Sequence, residues 1–177
     1  MKHASHSPAS MLTIHFETFD ITPKLLENDK RLRAFWFYWL ETARRYDGFK
    51  ALAKDDIRPE SFKGYLEYLT LTEAVNDGAD FRYRIYGTGI AKHFGRNMTG
   101  ALVSDLPPVS AEFQLYFYQQ ALRKRQPVYM ITEGHPNIQV DMWARLCLPV
   151  TTSGDRVEML LNLALPTRLR GTPAQYL

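Results

Sequence analysis

The chain has 177 residues with 45% hydrophobic and 13% aromatic content, enough to bury one sizeable core, so one domain is expected. Its 22 basic and 19 acidic residues leave a net charge of only +3, without the long basic stripe interleaved with aromatics that nucleic-acid binding asks for. The single cysteine, Cys147, excludes an internal disulfide or a multi-cysteine metal site and suits a reducing compartment, the cytoplasm.

Residues 1–27 read as a largely disordered or extended N-terminal segment. Met1–Ser10 has no apolar h-region, and no apolar run approaches the ~20 residues of a membrane span, so no membrane partner is expected. His3 and His6, in the polar stretch 1–12, are poor metal candidates. An amphipathic helix is expected over 28–47, with Leu32, Phe35, Trp36, Trp39, Leu40 and Ala43 on its apolar stripe and Asn28 or Asp29 as its cap. Phe37 and Tyr38 fall off that stripe, an aromatic excess that suggests a partner-facing surface.

After a polar connection over 54–64, a strand is expected at Leu66–Ala74, a turn at Val75-Asn76-Asp77-Gly78 and a second strand at Asp80–Tyr86. Alternation places Phe81, Tyr83 and Ile85 on one face of that strand. A short helix from Thr88 to Phe94 ends at Gly95, and Pro107-Pro108 precedes a helix capped by Ser110 and running to Arg125. Three strands close the pattern, at Val128–Glu133, Gln139–Val150 and Val157–Leu165, and Pro166 ends the last. Residues 28–166 are thus one domain, and 167–177 a C-terminal tail.

This order resembles the PAS fold, through Phe35-Trp36-Phe37-Tyr38-Trp39, Ile57-Arg58-Pro59, Tyr83-Arg84-Ile85-Tyr86-Gly87-Thr88-Gly89-Ile90 and Phe94-Gly95-Arg96-Asn97-Met98-Thr99-Gly100. The wording looks like an alphaproteobacterial branch with an N-terminal aromatic helix. The matched region spans about 32–106, and the later half agrees in element order alone. The resemblance implies an α+β domain with a five-stranded antiparallel sheet in the order 2-1-5-4-3, helices on one face and an extra N-terminal helix. It also implies a stand-alone sensory module that signals through another chain.

Gly87-Thr88-Gly89-Ile90-Ala91-Lys92 begins like a dinucleotide fingerprint, but Lys92 holds the third glycine position and no parallel βαβ unit follows. The glycines read instead as the exit from the second strand and a place for close helix packing. His93 lies in the short helix, whereas the longer helix that usually supplies a haem ligand has no histidine, so haem is disfavoured. Met98 stands where a flavin-adduct motif has cysteine, and Cys147 reads as a buried inert thiol. No cofactor is specified.

Glu133, His135 and Asp141 straddle one hairpin and invite an acid/base reading, yet turn tips seldom sit inside pockets. Among Arg82, Arg84, Arg96 and Arg145, Arg145 is the best candidate to face inward and grip a carboxylate, because Trp143 and Cys147 share its face. The expected function is a non-enzymatic module that binds a small organic ligand or a protein partner, with a pocket lined by Tyr83, Ile85, Phe94, Phe113, Phe117, Trp143, Arg145 and Asn162. Two alternatives stand beside it. One is a ligand-free docking module, a homodimer formed through Phe35, Trp36, Phe37, Tyr38 and Trp39. The other is a small ketosteroid-isomerase-like enzyme using Asp141 opposite Tyr83.

Overall fold

Side-chain alternation along the central strands sets the architecture of the chain, whose computed structural model describes residues 2–6, 13–19, 21–27 and 29–171, with side chains from His15 onward except Pro23. In the strand Met159–Leu169, Leu161, Leu163 and Leu165 join one buried cluster while Leu160 and Ala164 join another. The strand Val140–Thr151 divides the same way, with Leu146 and Leu148 on the first side and Trp143 and Cys147 on the second. Residues two apart share a face of a sheet, so these strands must be covered on both faces. That double cover explains the nearly continuous apolar run at the end of the chain.

The elements in chain order are β1 (Lys2–His6), β2 (Thr13–Phe19), α1 (Lys30–Thr42), β3 (Arg44–Tyr46), β4 (Phe49–Ala53), β5 (Leu69–Val75), β6 (Asp80–Tyr86), α2 (Thr88–Phe94), α3 (Pro108–Lys124), β7 (Val128–Glu133), β8 (Val140–Thr151) and β9 (Met159–Leu169). The fold is α+β, built on an open sheet in the order β1-β2-β7-β8-β9-β5-β6, whose neighbours along that path are antiparallel. β4 adds in parallel to β8 at Leu52↔Val150 and Ala53↔Thr151, beyond the Met142–Cys147 stretch that β7 pairs, and β3 pairs β4. The sheet is therefore larger than the five strands expected. Among the described residues no helix is long and apolar enough to cross a membrane.

Part of the N-terminal segment expected to be extended or disordered is a hairpin: β2 pairs β7, and Phe16 packs on Phe113 and Tyr116 of α3 with ring centroids 6.3 and 5.3 Å apart. Residues 7–12 and 172–177 lie outside the described residues, as does Asn28, one of the two expected caps. Asp29 caps α1, accepting from the amides of Arg31 at 2.8 Å and Leu32 at 3.3 Å. The helix stops at Thr42 rather than near 47, because Arg44–Tyr46 turns through Gly48, at φ 74, into β4.

α1 lies on the face opposite α2 and α3, where Leu32, Phe35 and Trp39 pack with Leu146, Leu148, Leu161 and Leu163. The aromatic run proposed as a dimer interface is thus largely spent inside the domain. Phe35 and Trp39 are buried, Trp36 and Tyr38 half-buried, and the Tyr38 hydroxyl donates to the Asp56 carbonyl at 3.0 Å. Phe37 and Leu40 remain on the outside, at 52% and 47% exposure, so Leu40 leaves the core stripe assigned to it.

Three further boundaries shift for identifiable reasons. Leu66–Tyr68 is a 3₁₀ turn, and the strand starts at Leu69. α3 begins at Pro108, whose missing amide costs nothing in a first turn, so Ser110 is a buried residue of that turn and not the cap. β9 passes through Pro166 to Leu169, because Pro166 lies opposite Trp143, where the β8 register is irregular. Arg168, read as tail, is consequently strand and ion-pairs with Asp141.

Candidate ligand-binding site

A cavity of about 70 Å³ lies between α2, α3 and the sheet face they cover. Its floor comes from alternate residues of adjacent strands, Thr70 on β5, Tyr83 and Tyr86 on β6, Trp143 and Arg145 on β8, and Asn162 and Ala164 on β9. Its roof is Ile90 and Phe94 of α2 with Ser110, Phe113, Gln114 and Tyr118 of α3. The hairpin at Glu133, Gly134, His135 and Ile138 contributes the remaining wall together with Leu106.

Of the residues proposed for a pocket, Tyr83, Phe94, Phe113, Trp143, Arg145 and Asn162 line this cavity. Phe117 is fully buried in the cluster behind it and does not line it. Ile85 is on the other side of the strand and 47% exposed. The cause is a β-bulge: Leu71 pairs Ile85 but Thr72 pairs Tyr83, leaving Arg84 as the extra residue. One inserted residue reverses the alternation beyond it, so Tyr86 takes the inward place assigned to Ile85.

The neighbouring glycines have a steric role. A Cβ on Gly87 would sit 2.1 Å from the Glu67 carbonyl oxygen, and one on Gly89 would sit 2.8 Å from the Tyr68 ring. These contacts let α2 leave β6 while pressed against the segment before β5 and so close the cavity from above.

Arg145 is the dominant charge of the site. It is only 8% exposed, its Nη1 donates to the Thr132 hydroxyl, and its guanidinium carbon lies 5.4 Å from the Phe113 ring centroid and 5.2 Å from that of Trp143. Burial pulls its pKa down to about 10, although the nearby Tyr118, Tyr83 and Tyr86 act in the opposite sense, so the guanidinium is charged at neutral pH. Among the described residues no carboxylate pairs with it. Burial pushes Tyr86 up to about 12 and raises Tyr83 and Tyr118 well above their ordinary value, which keeps these phenols neutral hydrogen-bonding groups.

The other three arginines face away. Arg84 pairs with Glu73, with Nε 2.7 Å from the carboxylate, Arg82 donates to the Gly100 carbonyl at 2.8 Å, and Arg96 is exposed. A polar chain crosses the cavity floor, from Asn162 Nδ2 to Thr70 Oγ1 at 3.2 Å and from Thr70 Oγ1 to the Tyr118 hydroxyl at 3.2 Å. Among the described residues, two buried polar atoms of the lining have no hydrogen-bond partner, Gln114 Nε2 and Asn162 Oδ1.

Sequence reasoning missed Thr70, Tyr86, Gln114 and Tyr118, and it set aside the hairpin tip that holds Glu133 and His135. The tip is drawn in by backbone contact: Gly134 donates to the Asp141 carbonyl at 2.8 Å, and a Cβ there would meet the Val140 oxygen at 1.8 Å. Arg170 fixes it from outside, donating to the carbonyls of Ile138 at 3.0 Å, Gly134 at 3.0 Å and His135 at 3.3 Å. The glycine in the turn and the late arginine were the available signals.

Asp141 does not join the cavity; it is ion-paired with Arg168 and lies 3.7 Å from Arg170, so it is not brought opposite Tyr83. His93 packs edge-on against Trp143 at 5.8 Å, and burial lowers its pKa. Cys147 is fully buried beneath α3, where burial pushes its thiol pKa well up. No family model, curated protein or solved structure matches this chain.

Proposed function

We propose that this chain is a non-enzymatic sensory or regulatory module of the PAS kind, which binds a small organic molecule between its helices and sheet and passes the signal to another chain. The observation that carries the reading is the cavity itself, lined by Gln114 and Asn162, each with an unpartnered buried polar atom, and by Arg145, a buried cation without a carboxylate. Polar groups in a core are normally satisfied, so three such residues lining one cavity argue for an occupant. The consecutive pairing of β6, β5, β9, β8 and β7, with α2 and α3 on one face, supports the PAS part of the reading. The lone cysteine supports the cytoplasm as its compartment.

Occupancy would be sensed by α3, because Phe113, Gln114 and Tyr118 sit on it, and by the hairpin that Arg170 holds. The test is to denature protein purified from its expression host and identify released small molecules by mass spectrometry, beside a Trp143→Ala variant. Wild-type protein should release one compound in near-stoichiometric amount, and the variant much less. Equal release from both, or none from wild type together with no thermal stabilisation by any member of a fragment panel, would remove the ligand reading.

A docking module remains a second reading, favoured by Phe37 and Leu40 one turn apart on the outer side of α1. Sedimentation separates the two cases: a dimer lost in Phe37→Glu supports docking, and a monomer at all concentrations removes it.

A further inference from the structure

The chemistry of the cavity restricts its occupant further, on the reading that it is a ligand site. Arg145 and Gln114 Nε2 supply hydrogen-bond donors, one of them cationic, and Asn162 Oδ1 supplies an acceptor. Arg145, Gln114 and Asn162 are 8%, 6% and 2% exposed, so water outside the protein does not satisfy them. Only one of the five guanidinium N–H donors is used by Thr132, and the aromatic rings of Phe113 and Trp143 lie near the guanidinium. A flanked guanidinium keeps its edge for planar, two-point contact, which matches a carboxylate better than a spherical ion.

The unpartnered acceptor asks for a donor on the same molecule. Each phenol near Arg145 is held neutral by burial, so none supplies the missing negative charge at neutral pH. Glu133 lines the cavity but is exposed, and the backbone amide of His15 lies 3.4 Å from its carboxylate. A cavity of 70 Å³ takes a molecule of roughly five or six non-hydrogen atoms, taking about 10–15 Å³ for each water-sized position.

We propose that the cavity binds a small hydroxycarboxylate, with its carboxylate on Arg145 and Gln114 Nε2 and its hydroxyl donating to Asn162 Oδ1. Lactate is a probe of the required size and composition. Lactamide removes its charge, propionate removes its hydroxyl, and chloride tests whether any small anion suffices.

The full chain in chloride-free buffer should be titrated with each probe by calorimetry, while NMR follows the side-chain amides of Gln114 and Asn162. Lactate should bind at least about tenfold more tightly than lactamide, propionate and chloride and should move both amide signals, since a site built for a charge or a hydroxyl strongly rejects analogues lacking it. Arg145→Gln should lose most lactate binding, and Gln114→Leu, which keeps the charge and the packing volume, should lose about tenfold.

Equal affinity for lactamide overturns the charged contact, equal affinity for propionate overturns the hydroxyl contact, and equal affinity for chloride overturns the carboxylate. If neutral fragments move the Gln114 and Asn162 amides while none of the anions does, the hydroxycarboxylate is wrong and the ligand site stands. If no probe of either kind moves them, both fall.

Discussion

The two faces of the sheet are made by the same strands and both pack an apolar cluster, but only the face under α3 also buries polar side chains. Toward α1, β5, β8 and β9 present Leu69, Leu71, Ala144, Leu146, Leu148, Leu161, Leu163 and Leu165, closed by Phe35, Trp39 and Phe62. Toward α3, they present Thr70, Thr72, Arg145 and Asn162 at positions one residue away, each buried. An apolar cluster needs only volume to be stable, whereas every buried polar atom needs a partner. Both faces therefore hold the domain together, and the second also holds groups that stability alone does not call for.

The comparison predicts mutational effects of opposite sign. Phe35→Ala, which empties a fully buried position packed on Phe62 and Tyr65, should cost about 3–5 kcal/mol in a urea titration. On the other face Arg145→Met should stabilise the ligand-free protein by about 1–3 kcal/mol, because it replaces a buried cation lacking a carboxylate with an apolar side chain. A loss of several kcal/mol there would mean that the protein itself already satisfies the charge.

That second effect should depend on pH. The folded-state pKa of Arg145 lies below its ordinary value, so its unfavourable contribution is present below pH 10 and relieved as pH rises above about 10. The advantage of Arg145→Met should accordingly shrink between pH 10 and 12. Tyr38, Tyr86 and Tyr129 are raised to about 12, chiefly by burial; their contribution is present below pH 10 and lost as pH rises through 12, so both proteins should weaken over that window. An advantage that grows with pH would contradict the assignment.

Smaller effects sharpen the boundary of the site. Arg170→Ala should cost about 1–2 kcal/mol and speed hydrogen exchange at Gly134 and Ile138, since it removes the bonds that hold the hairpin from outside. Glu158 lies away from both faces; burial alone would raise its pKa, but hydrogen bonds from Thr152, Ser153 and Thr151 lower it. In thermal denaturation Glu158→Gln should cost about 1 kcal/mol above the ordinary carboxylate pKa, a cost that fades as the medium is acidified through the lowered folded-state pKa, with no change in ligand binding.

Much of the fold could be read from local pattern. β7 and α2 follow from alternation and glycine placement at the boundaries expected, and Asn76, Asp77 and Gly78 adopt the positive φ of 50, 55 and 82 that their turn chemistry favours. What escaped was set by distant partners. β4 owes its strand to the free edge of β8, β9 extends past Pro166 because of an irregular register, and Ile85 is turned outward by a bulge no periodicity records. The site was legible where a charged or aromatic residue alternated with apolar ones, as at Trp143 and Arg145. It was not legible at Gln114 and Thr70, whose roles depend on which polar atoms lack a partner once strands and helix meet.

The central claim is that the face beneath α3 is a binding site and not a core with an imperfection. An atomic-resolution crystal structure of protein crystallised without organic additives, in the presence of lactate, tests it most directly. The account predicts one continuous molecule in the cavity, with a carboxylate about 2.7–2.9 Å from Arg145 and a hydroxyl within hydrogen-bond distance of Asn162 Oδ1. Separate waters bridging Arg145, Gln114 and Asn162, unchanged by the added ligand, would contradict it.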